Sequence, residues 1–395
     1  MVASLFMSKD GFEPGWRFAD TANRIDLATR AGDWRYTAPV AMTVRTRRPF
    51  RASITAIFLI SVFAAACAPK PVTYRLPQLA NLPAGATSVS DARVQFDGDF
   101  CGVLAHMTGW EACARYLHPP HATTPTPSSG TDAFLQGYRV LLIGGIFARC
   151  LDVDVFQDAS AHLAQSHAFT TEHLDVFGNG SSEQNAILIR DYILRDATSL
   201  PFIVVGHSKG AVDLIETLVR HPAVNGRVRA LLTVASPVAG SRLVDRVPDL
   251  IKNLSSKLPE IGTCPLGDGQ GYLSLERPIR QRFLADHLAT VNALRSYGIV
   301  AVAARADTSK ILHGLWDYQS RFSLDQDTHV IADDALLPGA TLLGQANGDH
   351  WAVASPVELS SNRTLRDSAD RNHYPRAALL EAALRFIVRD LAQHP

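Results

Sequence analysis

Residues 201–219, PFIVVGHSKGAVDLIETLV, leave the chain few choices. Phe202 to Val205 form a short apolar, β-branched run, while Val212, Ile215, Leu218 and Val219 recur at helical spacing. A strand therefore turns into a helix at Ser208, which has Gly206 and Gly210 on either side. A junction this tight holds its central residue in a strained backbone region, where neighbouring Cβ atoms collide unless they are missing. The expected product is a sharp bend that lifts one hydroxyl above the end of a sheet, with a helix N-terminus aimed at it. G-x-S-x-G also arises by chance, so its surroundings must decide its meaning.

Those surroundings alternate strand-length apolar runs with helical patterns. The runs are RVLLIGG (139–145), HLDVF (173–177), FIVVGH (202–207), RALLTVASP (229–237), IVAVAAR (299–305) and ATLLGQANG (340–348). Near-continuous Val, Ile, Leu and Ala suit parallel strands covered by helices on both faces. Ser181 with Gln184 fits a capping box opening a helix. YPRAALLEAALRFIVRDL closes the chain as a helix with Leu380, Leu384, Ile387 and Leu391 on one face. Residues 238–298 form an insertion with helical fragments, read evenly as a cap or lid over the strand ends or as peripheral scaffolding. GDGQG at 267–271 lacks a strand before it and a helix after it, so it reads as a flexible loop and not a nucleotide site.

The N-terminal part carries an address. From Met42 the chain runs through four arginines into an apolar stretch, residues 54–66, that ends at AAAC. This has the form of a secretory signal, and a stretch of 13 residues falls short of the roughly 20 that span a membrane. AAAC resembles a bacterial lipoprotein box, although Ala64 stands where that pattern prefers leucine. The resemblance implies acylation of Cys67, attachment to a membrane and, with Ala68 following, sorting to the outer membrane of a bacterial envelope. The expected organisation is an N-terminal extension at 1–41 preceding a start at Met42, a signal at 42–66, a segment with a Pro-rich linker at 67–133, and one compact domain at 134–395. Cys101, Cys113, Cys150 and Cys264 remain, an even set for an oxidising compartment. Locality favours Cys101 with Cys113, leaving Cys150 with Cys264; four free thiols are the alternative. Lys plus Arg equal Asp plus Glu at 38 each, so no net field recruits nucleic acid.

A serine hydroxyl attacks poorly at neutral pH, so a base must take its proton and a carboxylate must hold that base in the right tautomer. His350 follows an apolar run directly, in QANGDHW, and is the candidate base. For the acid, SLDQDTHVIADD offers Asp327, preferred because this stretch resembles the D-x-D-x-x-V acid loops of lipases, a resemblance that implies Val330 as the loop's apolar anchor; Asp307 is the second candidate, and Asp325 and Asp349 are weaker ones. The order of strand, elbow serine, insertion, acid and histidine resembles the α/β-hydrolase superfamily, particularly its bacterial lipases and esterases, over residues 134–395. That resemblance implies an oxyanion hole made by the backbone N–H of Lys209 and of Ile146, with Phe147 as the fallback. The Lys209 side chain is expected at the surface, and His207 need not touch the proton relay. The expected chemistry is hydrolysis of carboxylic esters through an acyl-enzyme, with no cofactor and no metal. An acyltransferase with the same three residues, or a catalytically silent envelope lipoprotein using the fold to bind, are the alternatives.

Overall fold

Why the runs read above become one sheet is visible in their alternation. The computed structural model describes residues 85–118, 134–148, 153–195, 198–244, 260–261, 264–265 and 267–394. Within β3 (Arg139–Ile143) and β5 (Phe202–His207), Val140, Leu142, Ile203 and Val205 enter one buried cluster, and Leu141, Ile143, Phe202 and Val204 enter another. Side chains of a strand point to opposite faces in turn, so a strand apolar throughout must be covered on both sides.

The covering layers are helical. On one face lie α1 (Arg93–Leu104), α2 (Gln157–His167) and the closing helix; on the other lie α3 (Ser182–Arg195), α4 (Lys209–Arg220) and α5 (Arg277–Asp286), with the closing helix being α6 (Arg376–Gln393). Leu380, Leu384, Ile387 and Leu391 of α6 are all buried, as their spacing predicts. Besides β3 and β5, the eight-stranded sheet contains β1 (Ser90–Asp91), β2 (Leu117–His118), β4 (Glu172–His173), β6 (Val228–Val234), β9 (Ser296–Ala301) and β10 (Thr341–Ala346). Its order is β1-β10-β9-β6-β5-β3-β4, with β2 pairing the far end of β10. Every pairing is parallel except β2 with β10. A two-residue hairpin, β7 (Glu260–Ile261) with β8 (Cys264–Pro265), stands apart.

Three boundaries differ from expectation. The compact unit does not begin at residue 134: β1, α1 and β2 belong to it, with Phe96 and Phe100 buried against the same core as α6. A disulfide between Cys101 and Cys113 ties α1 to the turn before β2. Of HLDVF only His173 is strand, paired with Glu172 before it, and beyond it Asn185 hydrogen-bonds both the N–H and the C=O of Phe177 and draws the chain away from the sheet. The 238–298 segment also divides. Phe283 and Leu284 of α5 pack on the sheet as the crossover from β6 to β9, whereas residues 267–275 lie against the loop at 177–182.

Cys67, the signal at 42–66, the 1–41 extension, the linker after residue 118 and Cys150 lie outside the described residues, as does the Cys264 side chain. Among the described residues no helix is long and apolar enough to cross a membrane.

Candidate active site

Ser208 sits at the bend between β5 and α4 with φ 53° and ψ −128°, a conformation that L residues rarely adopt. Its flanks explain the glycines. A Cβ on Gly206 would lie 2.4 Å from the backbone of Ala211, and one on Gly210 would lie 2.4 Å from the carbonyl oxygens of Ile143 and Gly144. The bend is pinned by Ser208 N–H donating to Val234 C=O at 3.0 Å and by the Ser236 hydroxyl donating to Ser208 C=O at 3.1 Å.

Asp327 belongs to a turn beyond β9, closed by its own N–H donating to Val330 C=O at 3.1 Å and passing through Thr328 at φ 90°. Its Oδ1 accepts the N–H of His329 at 2.9 Å and of Val330 at 2.7 Å, which leaves Oδ2 to face inward. Val330 anchors the turn in a cluster with Val300, Val302 and Leu336. His350 follows β10, and its N–H donates to Asp327 C=O at 2.8 Å. Its ring completes the arrangement: Nδ1 is 2.8 Å from Asp327 Oδ2, and Nε2 is 2.9 Å from Ser208 Oγ. A carboxylate can only accept, so Nδ1 carries the proton and Nε2 offers its lone pair to the serine.

Two of the remaining acid candidates hold other partners with their carboxylates. Asp349 is buried and accepts the N–H groups of Ser309, Trp351 and Ala352, holding the turn that presents His350. Asp307 pairs with Arg115 at 3.3 Å near the surface. Asp325 contributes its backbone carbonyl to Ala332 N–H at 2.9 Å.

Burial dominates the electrostatics. It pushes the Asp327 carboxyl up to about 6, against the pull of His329 and of the two backbone N–H donors, and it pushes the His350 imidazole down to about 3. At neutral pH the pair is thus a carboxylate facing a neutral imidazole. Asp327, His329 and His350 come close enough together to hold a metal, but both ring nitrogens of His350 are engaged by Asp327 and Ser208.

At the end of β3, a Cβ on Gly145 would lie 2.7 Å from Ser208 Cβ, so this loop runs directly over the serine. Phe147, the fallback oxyanion donor, gives its N–H to Gly178 C=O at 2.9 Å. The Lys209 amide opens α4, where a helix has N–H groups without intrahelical partners.

The Lys209 side chain corrects an expectation. It is 1% exposed and pairs with Asp213 at 2.6 Å, and Asp213 in turn accepts from Asn185 at 2.8 Å. One helical turn separates the two charges, which is what makes a buried lysine tolerable. GDGQG is likewise no loose loop. Asp268 takes the N–H and hydroxyl of Ser181 at 2.7 and 2.6 Å, and Gln184 Oε1 accepts Asp268 N–H at 2.9 Å. Ser181 Oγ still accepts Gln184 N–H at 3.0 Å, so half of the capping box forms and Asp268 supplies the other half.

Two histidines surround His350 in a way the sequence does not announce. His329 stacks on its ring at 4.3 Å and 18°, and His207 lies 4.8 Å away with Nε2 bonded to His350 C=O at 2.9 Å. The signal that could find them is adjacency: each stands within two residues of Ser208 or Asp327.

Among solved structures, a carboxyl esterase of metagenomic origin aligns over 84% of this chain and 99% of its own, at 30% identity and a TM-score of 0.69. The chain belongs to the α/β-hydrolase superfamily. Similarity to other α/β-hydrolases falls away quickly. The mature lipase of Bacillus licheniformis aligns at 17% identity over 54% of this chain and 85% of its own, with a TM-score of 0.42. A thioesterase of the prodiginine pathway in Streptomyces coelicolor aligns at 16% over 67% and 98%, with a TM-score of 0.34. No protein-family model matches the chain, and no curated protein does.

Proposed function

We propose that this α/β-hydrolase cleaves carboxylic esters through an acyl-enzyme, a reading carried by the unbroken hydrogen-bond path from Asp327 through His350 to Ser208. Ser208 Oγ attacks the ester carbonyl carbon as its proton passes to His350 Nε2. The charge that moves onto the carbonyl oxygen is met by the N–H groups of Lys209 and Ile146, each such donor supplying about 3–4 kcal/mol in a water-poor site. The C–O bond to the alcohol breaks, and the alcohol leaves with the proton held by His350. Water then repeats the attack on the acyl-Ser208 ester, giving its proton to His350, and the acid departs as Ser208 recovers the proton. Asp327 keeps the imidazole in its Nδ1–H tautomer throughout and steadies the imidazolium.

The test is a fluorophosphonate probe followed by turnover of nitrophenyl esters of increasing chain length. Labelling and hydrolysis in the wild type, both lost in Ser208→Ala, are expected. A folded wild type that neither labels nor turns over would reject the reading in favour of a binding role. The lipoprotein-like AAAC supports a second part of the proposal: acylation at Cys67 and a place on a bacterial membrane. Metabolic labelling with a fatty acid, lost in Cys67→Ser, checks it.

A further inference from the structure

Helices α2 and α6 meet at a cluster that shares no residue with the site above. His162 Nε2 lies 2.7 Å from Glu381 Oε2, and His167 Nε2 lies 3.1 Å from Glu381 Oε1. The two rings meet edge to face at 5.8 Å, and the three donor atoms all lie within 4.8 Å of one another. The histidine side chains keep 22% and 10% of their surface, enough for entry from solvent, while the carboxylate is buried.

We propose that His162, His167 and Glu381 form a zinc site that staples α2 to α6. Two imidazole nitrogens and one carboxylate oxygen are donors that zinc takes, with water completing a tetrahedron. At zinc–ligand distances of about 2.0–2.1 Å, tetrahedral donors stand roughly 3.4 Å apart, so the two N···O spacings of 2.7 and 3.1 Å would open by about 0.7 and 0.3 Å, and no donor pair starts more than 4.8 Å apart. Each ring exchanges an N–H···O bond for an N–Zn bond, and its proton moves from Nε2 to Nδ1, with no net release. Ser166 Oγ stands 3.3 Å from His162 Nδ1 to receive that proton. Arg385 holds Glu381 Oε1 at 2.7 Å and fixes the carboxylate from behind, as outer partners of metal ligands do. Two features weaken the site: the Arg385 charge beside the ion and a buried His167 Nδ1 without a partner. Both lower the affinity for the ion. Imidazole donors also exclude magnesium and calcium, which favour oxygen.

The experiment uses the full chain, stripped with a chelator, dialysed and titrated with zinc chloride by calorimetry, with melting followed in parallel. Expected are about one zinc per chain and a melting point raised by roughly 5 °C at a hundredfold excess over Kd. His162→Ala and the polar His162→Gln should each lose both effects while keeping circular dichroism and ester turnover at wild-type levels. No saturable uptake by the wild type, equal uptake by both variants, or equal stabilisation by magnesium would overturn the proposal.

Discussion

Asparagine at position 327 changes one oxygen to an amide nitrogen, and the surrounding bonds decide where that nitrogen must go. Oδ1 accepts two backbone N–H groups, from His329 and Val330, at 2.9 and 2.7 Å. An asparagine must place its carbonyl oxygen there, because turning the amide toward two donors leaves both unsatisfied in a buried turn. Its NH2 then faces His350 Nδ1, which can only accept it as a bare nitrogen. The proton moves to Nε2, the atom that in the proposed mechanism must take hydrogen from Ser208, 2.9 Å away. The base is thus blocked without any change of shape, and kcat should fall by on the order of 10⁴, about 5 kcal/mol of barrier. KM should hardly move. The measurement is steady-state hydrolysis of a short nitrophenyl ester, with thermal melting to establish that Asp327→Asn folds and Asp307→Asn as the control. Asp307, paired with Arg115 near the surface, should keep turnover within a factor of two. A variant at 327 that retains a tenth of wild-type kcat would refute the tautomer argument.

Three further outcomes are expected. Gly145→Ala drives a Cβ to 2.7 Å from Ser208 Cβ, so the serine must shift and kcat should drop on the order of 10²-fold, read against a modest loss of melting temperature; unchanged kcat would mean the loop yields freely. Lys209→Met strands the buried Asp213 carboxylate and should cost about 3–5 kcal/mol in denaturant unfolding, most of it recovered in the double variant with Asp213→Leu. For pH dependence, the working state is a charged Asp327 with a neutral His350; burial raises the first to about 6 and lowers the second to about 3, so kcat/KM should rise with pH along a limb at or below pH 6 and then level. A limb centred above pH 7 would contradict that burial.

What the sequence makes legible is what depends on neighbours along the chain. The strands at 139–143, 202–207 and 341–346 announce themselves as apolar runs, and the bend at Ser208 by its two glycines. Helix α1 does not, since RVQFDGDFCGVL carries Gly98, Asp97 and Asp99 where a core helix shows apolar residues. Asp99 is buried all the same because Arg389, 290 positions later, donates to its Oδ1 at 2.9 Å. The same blindness hides the burial of Lys209, which depends on Asn185 arriving from α3 to share Asp213. β9 begins three residues before its apolar run, and Gly298 within it lets Leu336 lie 2.3 Å from where a Cβ would stand. Asp307 and Asp327 both come after β9, and only the turn that aims one oxygen at His350 distinguishes them.

The pairing of β10 with both β1 and β2 has a consequence for how the chain tolerates being cut. These two short pieces cover the outer rim of a strand that is buried from Leu342 to Ala346. Proteolysis or cloning that discarded everything before Phe134 would bare a row of backbone donors and acceptors to any passing chain. Residues 90–118 therefore serve as a guard rail, and their removal should yield aggregates before it yields a smaller enzyme.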